Sequence, residues 1–251
     1  MIFRKPQNQT TELLKHSSER QQLIDELEQL QEVLAELTAE REDLLRLVNE
    51  FEVKYHLRLG QHIQRILELR RDRAAGLAKS HPEFEPRYQE AVEDYNSWNE
   101  TSSTMQKKKL FSLSEDDLKL LKKTFRKAAG KCHPDVARGD DKERSLKFFV
   151  SLRQAYERND LDAVVLLAEQ IDSEQIMQQD PKKIEIESLQ TAIKTIEKDI
   201  AILHSEIRAI SESESYRVLA VYADVDVYFQ EREKELLLQI DELMRYTGAA
   251  T

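Results

Sequence analysis

The densest chemistry in the chain lies between Lys119 and Asp135. Lys119, Lys122, Lys123, Arg126 and Lys127 recur at helical spacing, Lys131 and Cys132 follow, and then come His133, Pro134 and Asp135. From Leu118 through Pro134 there is no acidic residue. Cations at that spacing share one side of a helix. The chemistry on offer is electrostatic recognition, because several exposed cations give fast, salt-sensitive association with an acidic surface. Pro134 fixes the backbone direction where the helix must stop. Asp135 offers an acceptor to a partner's cation, and a plainer reading makes His133 only a polar residue ending the helix near its negative pole.

Nothing else in the sequence assembles a reaction centre. There is no Gly-rich phosphate loop, nucleophile elbow or metal-ligand spacing, so the chain is expected not to be an enzyme and to need no cofactor or metal. His56 and His62 are six residues apart, which puts them on different faces of a helix. His16, His81 and His204 stand singly. Cys132 is the only cysteine, so one chain can build neither a disulfide framework nor a cysteine-rich zinc site, and a reducing cytoplasm fits.

The composition is that of long helices with narrow apolar stripes: 34% charged residues, five Gly, five Pro and few aromatics. The fold class expected is all-α. A formal net charge of -10 opposes attraction to nucleic acid or an anionic membrane, and no stacking aromatics are interleaved with the lysines. The charge is uneven. Nine basic residues face three acidic ones from Lys107 to Lys131, a net of +6 that leaves the remainder at -16. The amino-terminal residues lack the apolar run of a signal peptide, and no stretch approaches a membrane-spanning helix. A cytoplasmic protein is expected.

The elements that must position the basic run are set out by the prolines, at 6, 82, 86, 134 and 181, since a helix interior tolerates proline poorly. Residues 8–80 read as a long helix: Leu23, Leu27, Leu30, Leu34, Leu37, Arg41, Leu44, Val48, Phe51 and Tyr55 form a heptad seam interrupted only by Arg41. Residues 81–111 read as a connector with a short helix over Tyr88 to Trp98. Residues 112–178 hold the basic helix, with Ser114 as its N-cap, and a second helix that starts near Asp140, where Glu143 completes a capping box. Residues 182–247 carry another seam, Leu189, Ile193, Ile196, Ile200, Leu203, Ile207 and Ile210. That segment is either a hairpin turning at Ser211–Ser215 or one continuous helix. Both seams fit a coiled coil that joins two copies of the chain, or equally helices of a bundle.

The run from Ser114 to Asp135, through Leu121, Phe125, Ala128, Lys131, Cys132, His133 and Pro134, resembles the second helix and loop of DnaJ-type J-domains. The stretch Phe148 to Glu157 resembles their third helix with its Ala155-Tyr156-Glu157 ending. The layout is similar to that of divergent J-domain co-chaperones with an amino-terminal coiled coil. The likeness covers about 45 residues. The paired-tyrosine and Leu-Gly signature of a first J-domain helix does not precede Ser114, so a segment between Pro86 and Phe111 is expected to replace it. In place of the usual fourth helix, Asp160 to Gln170 reads as a short closing helix. No Gly/Phe-rich linker, zinc module or β-rich client domain follows.

The resemblance implies a J-domain co-chaperone that docks on a DnaK-type heat-shock chaperone and stimulates its ATP hydrolysis. By position, Lys122, Arg126 and Lys127 are then docking cations, Lys119 and Lys123 support them, and His133, Pro134 and Asp135 form the stimulating loop. The helical arms would target the module to a client. The alternative is a coiled-coil scaffold whose J-like segment does not stimulate.

Overall fold

The computed structural model describes residues 7–108, 110–133, 141–173 and 186–248, with the backbone alone for 7–17, 141 and 246–248. All regular structure among these residues is helical, and the chain is all-α. None of these helices is long and apolar enough to cross a membrane. The elements are α1 (Gln7–Ser80), a 3-10 turn (Pro82–Phe84), α2 (Glu85–Lys107), α3 (Glu115–Cys132), α4 (Asp141–Glu157), α5 (Leu161–Ser173), α6 (Ile186–Ser211), α7 (Glu214–Val221) and α8 (Val225–Gly248). The chain divides into two compact units, Met1–Arg46 with Phe111–Ile210, and Leu47–Leu110 with Ser211–Thr251. Helix α1 contributes to both.

In the first unit the α1 seam meets the α6 seam. Ile24, Leu27 and Leu34 are buried with Leu189, Ile193 and Ile196 in one cluster, so each narrow stripe finds its apolar partner within the same chain. Arg41, the interruption in the seam, meets Glu206 of α6 with Nε 2.6 Å from Oε2. The heptad pattern implies one buried face, yet Thr38, Ala39, Glu42 and Arg46 are buried as well. The reason is that α3 and α4 cover a second side of α1 over this stretch.

In the second unit, His81 takes extended dihedrals before Pro82, as the steric clash with a following proline demands, and α1 ends there. The chain turns back as α2. Asn49 meets Lys108, and Arg71 stacks over Tyr95 at 4.5 Å, so α1 and α2 run antiparallel. Helix α2 does not stop at Trp98 but continues through Asn99–Thr104, with Ser102 buried against Gly60. A Cβ on Gly60 would come within 3.3 Å of the Ser102 Oγ, so glycine permits the close approach. Helix α8 runs with α1, pairing Arg58 with Asp226 and His62 with Glu233. Phe51, Leu59, Ile66 and Leu69 are buried with Phe229, Leu236 and Ile240.

The carboxy-terminal segment is not one helix. It breaks after Ser211, where Ser213 caps α7 by accepting from the Tyr216 N–H at 3.3 Å. It breaks again before α8, where Asp224 accepts from the Asp226 N–H at 2.9 Å. The two parts belong to different units: α6 joins the first part of α1, and α8 the second.

Candidate docking surface

Helix α3 is positioned from its first residue. Ser114 holds extended dihedrals and accepts from the Asp117 N–H at 3.2 Å. Its hydroxyl donates to Asp117 Oδ2 at 2.7 Å, and Glu115, Asp116 and Asp117 set negative charge at the positive end of the helix dipole. The apolar face then follows the 3.6-residue period: Leu121, Phe125, Ala128, Ala129 and Cys132 are buried. Burial pushes the Cys132 thiol up to about 12.

Helix α4 supplies the opposing face with Phe149, Leu152, Ala155 and Tyr156, all in the same core as Leu121 and Phe125. The Phe125 and Tyr156 rings stack at 4.2 Å. At its end, the Asp160 N–H reaches the Ala155 carbonyl and the Asn159 N–H the Tyr156 carbonyl, both at 3.0 Å. This is a Schellman closure with Asn159 in the left-handed region, at φ 59. Asp160 then accepts from the Ala163 N–H at 3.1 Å, starting α5, whose Val164 and Ile171 close the core.

Helix α1 also covers α3 and α4, while α2, in the segment between Pro86 and Phe111, belongs to the other unit. Ala39 lies in the core with α3 and α4. Gly130 of α3 lies by Ala35, and Lys122 and Arg126 by Asp43, so α1 and α3 run antiparallel. Against α4, Glu42 meets Arg153 with 2.8 Å between Oε1 and Nε, and Arg46 donates to Asn159 Oδ1 at 3.2 Å. Glu42 is 0% exposed and also pairs with Arg41. Burial raises its pKa, and the Arg153 and Arg41 charges offset only part of that. Asp43 accepts from the Tyr156 hydroxyl; burial first, then this bond, push the phenol pKa up.

Each site residue expected from the sequence can now be placed. Lys119 pairs with Asp116 at 3.1 Å, while Lys122 and Arg126 lie 3.6 and 3.5 Å from Asp43. Lys127, 68% exposed, pairs with Asp172 of α5 at 3.4 Å, and Lys131 joins the same carboxylate. The Lys131 hydrogen bond and both lysine charges hold the Asp172 carboxyl below its ordinary pKa. Lys123 is exposed. His133 sits at the C-cap of α3, its ring edge-on to Phe149 with centroids 5.1 Å apart. Pro134 and Asp135 lie outside the described residues, as does Asp140, the expected cap of α4.

The exposed side of α3 is therefore a cationic strip, flanked by Asp43 and Asp172, that ends at His133. No local sequence pattern points to these two acids. They stand 83 residues before Arg126 and 41 after Lys131, and only the fold brings them to the strip. No family model, curated protein or solved structure matches this chain.

Proposed function

We propose that the α3–α4 module is a J-domain-like docking element, and that the chain acts as a co-chaperone stimulating ATP hydrolysis by a DnaK-type heat-shock chaperone. The observation that carries this reading is the position of His133. It stands at the end of a cationic helix whose apolar face is packed on an antiparallel partner, and Pro134-Asp135 follows in sequence. An acidic surface on the ATPase would engage Lys122, Arg126 and Lys127, with Lys119 and Lys123 in support, and His133 with its following residues would meet the partner beyond the helix end. The hydrolytic chemistry is the partner's. The helical arms of α1, α6 and α8 carry the module to its client.

The test is single-turnover ATP hydrolysis by a DnaK-type chaperone with this chain or its His133→Gln variant. Stimulation by the wild type and its loss in the variant, with an unchanged helical circular dichroism spectrum, are expected. Equal rates would sink the assignment.

One observation favours the scaffold reading. Lys122, Arg126, Lys127 and Lys131 are engaged by acids of their own chain, which lowers the charge presented to a partner. In that case neither protein changes the ATPase rate.

A further inference from the structure

The unit formed by Leu47–Leu110 and Ser211–Thr251 contains a cavity of about 550 Å³, within the roughly 300–1,000 Å³ of small-molecule sites. Three aromatic side chains line it. Phe51 stands with its ring centroid 6.1 Å from Tyr55 and 5.8 Å from Tyr228. Burial foremost, with help from the Glu214 carboxylate, raises the pKa of both phenols and keeps them neutral.

The charged groups on the lining have one dominant sign. Among the described lining residues, Glu52, Glu214 and Glu235 stand with one cation, Arg232, and Arg232 is already paired with Glu235 at 2.6 Å. Glu52 accepts a hydrogen bond from the neutral Ser215 hydroxyl at 3.2 Å. His56 also lines the cavity. It is 8% exposed, and its buried Nδ1 has no hydrogen-bond partner among the described residues. A buried polar atom left unpaired is costly, and a bound polar group would satisfy it.

We infer that this cavity binds a small organic ammonium ion with an aromatic or apolar body. The rings favour it twice, by burying the body and by presenting negative π-faces to the cation. Glu52 and Glu214 supply charge-assisted acceptors for the ammonium N–H groups. An anion meets an excess of carboxylates, and a neutral molecule of the same shape leaves those carboxylates without a counter-charge.

Three probes of nearly one shape separate these cases: 2-phenylethylamine, 2-phenylethanol and phenylacetate. The readout is the fluorescence of Trp98, the only tryptophan, whose ring stacks on His56 at 4.7 Å, checked by calorimetric titration of the full chain. A saturable signal with the amine is expected, with binding at least tenfold weaker for the alcohol and the carboxylate. Glu52→Gln and Glu214→Gln should each weaken amine binding on the order of tenfold without changing the circular dichroism spectrum. Absence of saturable amine binding, equal binding of the three probes, or affinity unchanged in both variants would overturn the inference.

Discussion

Asp172 shows how a single residue can set the strength of a recognition surface. It is an exposed carboxylate on α5 held by Lys131 and Lys127, and exposed ion pairs are weak enough for a partner to displace. Replacing Asp172 with Asn returns two cations to the strip without touching the core. If the strip docks on an acidic ATPase surface, Asp172→Asn should lower the half-saturating concentration for stimulation by about two- to threefold at low salt. The gain should shrink as salt is added. A variant with an unchanged half-saturating concentration at every ionic strength would show that Asp172 does not compete with the partner. The cations themselves are legible in sequence because they are local. Their acidic partners are not, because helical periodicity carries no information about residues tens of positions away.

At the scale of elements, the pairing of α3 with α4 depends on a small apolar core. Leu152 is fully buried in it beside Leu121 and Phe125, and truncating such a leucine costs about 2–5 kcal/mol. Cys132 reports the opening of this core, since its thiol is buried and its pKa, pushed up to about 12, leaves almost no thiolate at neutral pH. Leu152→Ala should therefore speed the labelling of Cys132 by a thiol reagent many-fold under native conditions, and labelling no faster than in the wild type would contradict the packing. Part of α3 is legible in sequence: Ser114 as the cap, and the recurring Lys119, Lys122, Lys123, Arg126 and Lys127 as one side of a helix. Two features are not. The heptad pattern of α1 shows that a stripe needs covering but not that a second side is covered too, so the burial of Glu42 and Arg46 was hidden. The continuation of α2 through Asn99 to Thr104 is hidden as well, because these polar residues are weak helix formers and the packing of Ser102 by Gly60 is a contact between residues far apart in sequence.

At the scale of the whole molecule, each unit joins stretches far apart in the chain, and this assembly explains why all-α was legible while the pairing of arms was not. Composition and the two seams fix helices. They do not say that α6 completes the first part of α1 and α8 the second, because an apolar stripe accepts any stripe of similar spacing and the chain offers several. The turn at Ser211–Ser215 is legible in sequence, whereas the break before α8, held by the short-range hydrogen bond at Asp224, carries no glycine or proline to mark it. Each unit also carries its own reporter, Cys132 in one and Trp98 in the other. In the second, His56 is buried against Trp98, and burial lowers its pKa from 6.5 despite the opposing charge of Glu52. The folded unit thus holds fewer protons than the unfolded chain between that lowered value and 6.5, so the stability from neutral His56 is complete above 6.5 and is lost as pH falls through the window. Thermal unfolding followed by Trp98 fluorescence should have a midpoint that drops between pH 7 and pH 5. In His56→Phe, which keeps an aromatic ring against Trp98 and removes the titrating group, that drop should be smaller. An identical decline in both proteins would place the acid sensitivity in some group other than His56.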